Sequence, residues 1–418
     1  PISIRRQRQM CIRDRLEEVI TTAKLWVNHN IKYDMHAISI NLGIEINIPV
    51  FCTMTQAKII DSDRLRGYGL DDLARDWLGY DISHHEKALA PYLKYNKDYG
   101  WIPADVLGYY GTDDVIATRM LYLHIMRNMP DECVSLSGQE NDVTHALYLI
   151  ERNGMNIDVQ DTQLVQLQTI KSMLEISEQI RQLLGYDINP TSDKDCFDLL
   201  INIHGLPVIA WTEKEEPSFD KHALLAYQSY PNAPVEVLKL MLEYRRLSTF
   251  NGTFLTKYLE TNVDGVLHPS YNQTVRTGRM SCKDPNMQQL MKEAKALIIP
   301  PPGHVIVSAD YSQIEYRLIV HYIQDPEAIA AYHANPDQDY HSWVAAMCGT
   351  KRRAAKTINF LMGFGGGKAR LIEALSSDPD IIATIKAETP QEFKRLAAAR
   401  AMEVYNEYHN KLPGLRLT

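Results

Sequence analysis

The alternation of apolar and polar positions predicts a chain that changes character along its length. From Leu16 to about Asn128, helical stripes alternate with short apolar runs, which is the pattern of an α/β domain. Leu16–Lys24 reads as a helix and Leu25-Trp26-Val27 as a strand. Gly69-Leu70-Asp71-Asp72-Leu73-Ala74 opens a helix whose first-turn acids suit its dipole, and Tyr109–Met126 is a long amphipathic helix. From Leu147 the pattern becomes mostly helical: Gly154 ends one helix and Asp158 caps the next. Helices are predicted over Asp158–Leu184 and Asp193–His204, after a cap at Pro217-Ser218, and over Val235–Phe250. Leu267–Gln273 reads as a strand. Val305-Ile306-Val307 is β-branched and uninterrupted, and follows Pro300-Pro301-Pro302-Gly303, so it predicts a short buried strand leading to Asp310. From Gln313 the period is helical again, with Ile314, Leu318, His321 and Tyr322 on one stripe. Further helices are predicted after Asp339, over Lys351–Gly367 and beyond.

A length of 418 residues is enough for roughly two to four domains with substantial cores. No apolar run approaches the ~20 residues of a membrane span, and Pro1–Arg15 lacks the apolar core of a signal peptide. Six scattered cysteines without Cys-x-x-Cys spacing read as reduced thiols of a cytoplasmic protein. The net charge of −8 is unpromising for a polyanion binder, but its distribution changes that picture. Lys351–Arg370 carries six basic residues and no acidic one, and Arg276, Arg279, Lys283, Lys292 and Lys295 form a second excess. The acids gather elsewhere, around Asp71–Asp76 and Glu213–Glu216. Such local basic surfaces suit a polyanion held in a cleft.

Three stretches carry candidate chemistry. Asp310-Tyr311-Ser312-Gln313-Ile314-Glu315 puts a carboxylate at the end of a predicted strand, where a metal-dependent site could use it. Thr277-Gly278-Arg279, followed by Asp284-Pro285-Asn286-Met287-Gln288-Gln289, offers donors able to test minor-groove acceptors without reading sequence. Arg352, Lys356, Phe360 and Phe364 recur at spacing four along one slowly turning helical stripe. Two cations followed by two aromatics match a nucleotide laid lengthwise, triphosphate first and base last. Gly365-Gly366-Gly367-Lys368 lacks the P-loop order and reads as a helix break.

Together these words resemble the motifs of family A DNA polymerases, the family of bacterial DNA polymerase I and its phage relatives. Asn30-x-x-x-Asp34 and Tyr110-x-x-x-Asp114 resemble two motifs of that family's 3′–5′ proofreading exonuclease. The resemblance implies a multidomain α/β and α+β protein, with a ribonuclease H-like exonuclease followed by a right-hand polymerase of thumb, palm and fingers. It divides the chain into a leader at 1–15, foreign to the rest; an exonuclease-like part at 16–130; a thumb at 131–260; part of the palm at 261–318; and fingers at 319–418.

By the same resemblance the activity is DNA-templated DNA synthesis with two magnesium ions per active site, on primer-template DNA and dNTPs. Asp310 and the Tyr311 carbonyl would hold metal, and Asp34 and Asp114 would do so in the exonuclease, where Tyr110 orients water and Asn30 supports the site. Gln313, Glu315, His341, Arg352, Lys356, Phe360 and Phe364 would meet the nucleotide. Glu315 would exclude a 2′-hydroxyl, Arg352 would clamp the γ-phosphate, and Lys356 would donate a proton to pyrophosphate. Arg279, Asn286, Gln288, Gln289 and Arg317 would contact DNA. The family's Asp-x-Glu and His-Asp-Glu motifs have no counterpart here, which implies a fragment without polymerase or proofreading activity. The other readings are an exonuclease alone and a non-catalytic DNA-binding remnant. No processivity factor is identifiable.

Overall fold

The computed structural model describes residues 13–94, 99–212, 214–363, 366–376 and 390–411. Most of the expected leader, Glu213 of the acidic run, and Phe364 and Gly365 lie outside the described residues. The chain divides into two compact units, Pro1–Ile306 and Val307–Thr418.

The first unit begins with a helix over residues 13–22 (α1), then β1 (Trp26–Asn28), α2 (Ile31–Leu42), β2 (Val50–Cys52) and α3 (Thr53–Ile60). β1 and β2 pair in parallel, Val27 opposite Phe51, with α2 as the crossover between them. Apolar side chains lie on both faces of this small sheet. Ile31, Met35, Val50 and Tyr148 form one core cluster, and Phe51, Leu73, Leu121 and Ile125 another. The second cluster is supplied by α4 (Leu70–Leu78) and α6 (Ala104–Asn128), with α5 (Ser83–Leu93) between them in sequence. Burying a leucine such as Leu73 or Leu121 contributes roughly 1.5–3 kcal/mol, so the two-sided packing is the main source of stability here.

α7 (Val134–Asn153) ends where expected, at Gly154 with φ +64°. A Cβ there would lie 2.5 Å from the Leu267 carbonyl oxygen, so only glycine lets β3 (Met155–Asn156) meet β4 (Val266–Leu267). Asp158 then caps α8 (Val159–Leu184), its side chain accepting from the Asp161 N–H at 2.8 Å. The helical region continues through α9 (Asp193–Phe197), α10 (Lys221–Tyr227) and α11 (Val235–Thr249). The cap expected at Pro217-Ser218 lies instead at Asp220, which accepts from the Ala223 N–H at 2.8 Å. Pro217 is drawn into a bridge with Trp211, and the Ser218 N–H is taken by the Ala210 carbonyl, so neither is placed to cap. α12 (Lys257–Thr261) leads to β4, then to the antiparallel pair β5 (Ser270–Asn272) and β6 (Ser281–Lys283), and the short α13 (Lys292–Lys295).

The second unit is helical: α14 (Ile314–Ile323), α15 (Pro326–Ala334), α16 (Tyr340–Met347), α17 (Arg352–Gly363), α18 (Lys368–Ser376) and a helix over Pro390–Lys411. Two expectations fail near its start. Val305-Ile306-Val307 is not a buried strand: the backbone is irregular, and Val305 and Val307 are each 82% exposed. A strand is stable only when a neighbour takes its backbone groups, and none of the three described sheets includes this run. Asp310 is therefore not at a strand end. The helical stripe is also rotated. Ile314, Leu318 and Tyr322 face solvent, while Tyr316 and Val320 are buried, with Ile319 and Ile323 beside them. Both sets have helical spacing, and packing against Tyr340, Val344 and Ile358 selects the second.

Candidate functional site

The fingers-like helix α17 buries Ala354, Ala355, Ile358 and Asn359 and leaves Arg352 and Lys356 exposed. The small Ala pair lets the helix pack closely, so its basic stripe is held outward from a rigid base. Phe360 is half-buried one turn after Lys356, whose ammonium lies 5.7 Å from the ring centroid. Phe364 lies outside the described residues.

His341 enters from α16 and is buried. Its ring meets Tyr316 edge-on at 4.6 Å and stacks with Phe360 at 6.2 Å between centroids. Its Nδ1 lies 3.0 Å from the Asn359 amide nitrogen. Burial pushes the imidazole below its ordinary pKa; Asp339 pulls it up, and Arg352 and Lys356 push it further down. Arg352 reaches back to Asp339, with Nε to Oδ2 at 2.5 Å and an Nη to Oδ1 at 3.3 Å. With Ser342 Oγ also donating at 2.5 Å, the Asp339 carboxyl is held down to about 2, Arg352 being the largest cause.

Gln313 sits at the start of α14 in the left-handed region (φ +51°) and braces the entry to α16. Its Oε1 accepts from the Tyr340 N–H at 2.8 Å, and its Nε2 donates to the Gln338 carbonyl at 3.1 Å. Arg317 donates to the Ser312 carbonyl at 2.8 Å and to the Pro336 carbonyl, and its guanidinium covers the Tyr332 ring at 4.9 Å. Glu315 lies in the first turn of α14. Tyr311 and Asp310 lie just before it in exposed irregular backbone. The structure thus gathers Gln313, His341, Arg352, Lys356 and Phe360 around α16 and α17, and leaves Asp310 and Tyr311 outside that packed cluster.

In the first unit, Asp34 lies in the first turn of α2, directly after Asn30, which takes a left-handed turn (φ +50°) between β1 and the helix. The Asn28 amide donates to Asp34 Oδ2 at 2.7 Å. Burial raises the Asp34 carboxyl pKa, and the negative charge of Asp114 raises it further, so the two acids share one neighbourhood. Tyr110 precedes Asp114 by one turn of α6, and both are half-buried. Next door, His29 is pressed down to about 4 by burial, with its Nδ1 at 2.9 Å from Thr53 Oγ1.

The Asp34 and Asp114 oxygens suit magnesium as part of a donor set, since a divalent cation would relieve their mutual repulsion. Asp310, a single exposed carboxylate, is not by itself such a set; among the described residues no group of three or more His, Cys, Asp or Glu converges.

Arg279, Asn286, Gln288 and Gln289 are all exposed on the chain around β6, in the first unit. The Arg279 N–H bonds Thr277 Oγ1 at 3.4 Å, and Asn286 Oδ1 accepts from the Gln288 N–H at 3.0 Å. The strand before this segment is fastened from the exonuclease-like part. Lys32 Nζ donates to the Tyr271 carbonyl at 2.5 Å, and Lys58 Nζ to the Gln273 carbonyl at 3.0 Å. Glu151 holds the same strand, accepting from Lys32, from the Tyr271 N–H at 2.6 Å and from His36 Nε2 at 2.7 Å. Burial would raise its carboxyl, but these donors outweigh burial and lower it.

Sequence reasoning missed Asn28, Glu151, Tyr316 and Asn359. The position of Asn359 immediately before a motif aromatic was its one signal; Asn28 acts on Asp34 six residues on, and Glu151 and Tyr316 depend on contacts distant in sequence.

Comparison with known proteins bears on all of this. The chain matches the model of "DNA polymerase family A" over residues 159–414 and that of "3′-5′ exonuclease" over residues 2–130. It is 28% identical to DNA polymerase I of Pseudomonas aeruginosa, covering 82% of this chain and 39% of that protein. It is also 28% identical to DNA polymerase DpoZ of Salmonella phage PMBT28, covering 93% of this chain and 69% of the phage protein. Among solved structures, its fold matches the POL domain of Pol1 from M. smegmatis, in complex with DNA primer-template and dNTP. The TM-score is 0.71 at 21% identity, over 93% of this chain and 63% of that one. The chain thus spans well under half of the bacterial relative and about two thirds of the phage one.

Proposed function

The chain belongs to DNA polymerase family A, and on that premise we propose that it is the nucleotide-selecting and primer-gripping part of a DNA-templated DNA polymerase, joined to a 3′–5′ exonuclease-like part. The observation that carries the reading is α17. It anchors Ala354, Ala355, Ile358 and Asn359 in the core while holding Arg352 and Lys356 outward, one turn apart, ahead of Phe360. That is a rigid cationic rail leading to an aromatic platform, suited to a dNTP lying along the helix. In this reading Arg352 clamps the γ-phosphate. Lys356 neutralises charge and supplies a proton to the departing pyrophosphate. His341 adds a third contact to the triphosphate, and Glu315 crowds the position of a 2′-hydroxyl. Gln313 and Arg317 act through the loop that they brace.

Arg279, Asn286, Gln288 and Gln289 grip the primer-template, Arg279 at the minor groove. Asp34 and Asp114 would supply part of a magnesium site of the exonuclease kind, where the metal would stabilise charge on the reacting oxygens once further carboxylates complete it. Asn28 keeps Asp34 oriented, and Tyr110 positions the water. A bacterial or phage setting makes the cytoplasm its place of work; among the described residues no helix is long and apolar enough to cross a membrane.

The test is binding of the 418-residue chain to a labelled primer-template with a dideoxy terminus, read by anisotropy. The dNTP complementary to the templating base should tighten the complex and the other three should not. Lys356→Ala should remove this nucleotide effect while leaving DNA binding in place. Equal tightening by all four dNTPs, or by none, overturns the reading.

A further inference from the structure

The contact between His341 and Asn359 says more than that the two side chains pack. Both are buried, His341 at 6% exposure and Asn359 at 1%, with His341 Nδ1 and the Asn359 amide nitrogen 3.0 Å apart. An amide nitrogen can only donate, so in this arrangement Nδ1 is the acceptor and the proton of the neutral ring sits on Nε2. The ring is fixed between Tyr316, edge-on at 4.6 Å, and Phe360, stacked at 6.2 Å. Nε2 is therefore the nitrogen presented to a ligand, as an N–H donor. The other end of the amide, Asn359 Oδ1, is buried and has no hydrogen-bond partner. A buried unpaired carbonyl costs about 1–3 kcal/mol, a cost that a turned-over amide facing an Nδ1–H would recover.

We propose that Asn359 is a positioning residue that sets the proton on His341 and follows it. Its amide donates to Nδ1 while the ring is neutral, then turns over so that Oδ1 accepts from Nδ1–H when a polyanion at Nε2 draws a second proton onto the ring. The charged groups acting on His341 are Asp339, ahead of it on the same helix, and Arg352 and Lys356 from α17; Tyr316 faces it from α14. With two cations near, the empty site favours the neutral ring. A bound triphosphate cancels those charges and favours the imidazolium. Leucine at 359 would serve neither ring state, and aspartate only a ring with a proton on Nδ1. Asparagine serves both by a half-turn. The inference deepens the nucleotide reading and rests on it for the ligand, whereas the tautomer itself is independent of any ligand.

The experiment is ¹⁵N NMR of the histidine rings in the whole chain, with His341 assigned by the signals lost in His341→Gln. In the wild type without nucleotide, His341 should be neutral with its proton on Nε2. In Asn359→Asp its Nδ1 should carry a proton, and in Asn359→Leu it should lose the single tautomer. A wild-type ring carrying its proton on Nδ1 overturns the proposal without recourse to any variant, so misfolding of a variant cannot shelter it. Addition of a non-hydrolysable deoxynucleoside triphosphate should convert wild-type His341 to the doubly protonated form. If the Nε2–H tautomer is found and the analogue binds without changing His341, the role of His341 in the nucleotide reading fails while tautomer control by Asn359 stands; the second half of the proposal, proton-following, is then overturned.

Discussion

Arg352 and Asp339 form a two-pronged ion pair across the start of α16 and α17, at 2.5 and 3.3 Å, so the first cation of the fingers-like helix already has an anionic partner. A triphosphate reaching Arg352 must compete with that carboxylate. Asp339→Asn keeps the shape and removes the competing charge. We expect it to strengthen triphosphate binding by a few-fold, in keeping with the ~0–1 kcal/mol scale of exposed ion pairs. Titration of the chain with a fluorescent dNTP analogue measures this. Weaker binding would mean that Asp339 aims Arg352 rather than competes for it.

The same pair makes a pH prediction. The Asp339 carboxyl is lowered from its ordinary 3.8 to about 2, mainly by Arg352. A depressed carboxyl stabilises the fold above its unfolded pKa and loses that contribution as pH falls through its folded one. The melting temperature of the wild type should therefore exceed that of Asp339→Asn by a constant margin above about pH 5. The margin should shrink between pH 4 and pH 2. A margin that grows on acidification would contradict the ion-pair account.

Tyr316 carries a different cost. Its ring joins Tyr340, His341 and Phe360, but its hydroxyl is buried without a hydrogen-bond partner, and burial raises its pKa strongly. Tyr316→Phe keeps the ring contacts and removes the unpaired group. It should leave stability unchanged or raise it by about 1 kcal/mol. Urea unfolding at neutral pH reads the difference directly. A clear loss would reveal a bonded hydroxyl.

These three predictions concern contacts that the sequence only partly disclosed. Local signals were reliable where one residue's chemistry decides the outcome. Gly154 ends α7 because nothing larger clears the Leu267 carbonyl, and Asp158 caps α8 with its own side chain. The α17 stripe was legible too, since spacing of four on a helix fixes which residues share a face. Failures arose where a partner decides. Val305–Val307 has strand-forming residues, yet no described strand pairs with it. Ile314, Leu318 and Tyr322 are as regularly spaced as Tyr316 and Val320; only the neighbouring helices choose between the two faces. Asp339 marked the start of a predicted helix, but its hold on Arg352, 13 residues later, depends on how α16 and α17 meet. Glu151 and Asn359 gave no periodic signal, because each acts through a single polar contact set by tertiary packing.

Glu151 supports the most demanding prediction. Its carboxylate and the Lys32 ammonium are buried, with side-chain exposures of 6% and 13%, and both also bond the backbone of Tyr271. Removing one member of a buried pair leaves the other charge uncompensated, so Lys32→Met should cost about 3 kcal/mol, whereas the double variant Lys32→Met with Glu151→Leu should recover much of that loss. The effect should also reach DNA. Tyr271 lies on β5, and Lys58 holds the next carbonyl but one, at Gln273, just before the turn to Arg279. Loosening β5 should free that turn, and primer-template affinity should fall as the Arg279 minor-groove contact is lost. Unfolding curves of the two variants and their primer-template affinities decide the matter. Lost stability with unchanged DNA binding would confine Glu151 to holding the fold, and unchanged stability would remove the hub altogether.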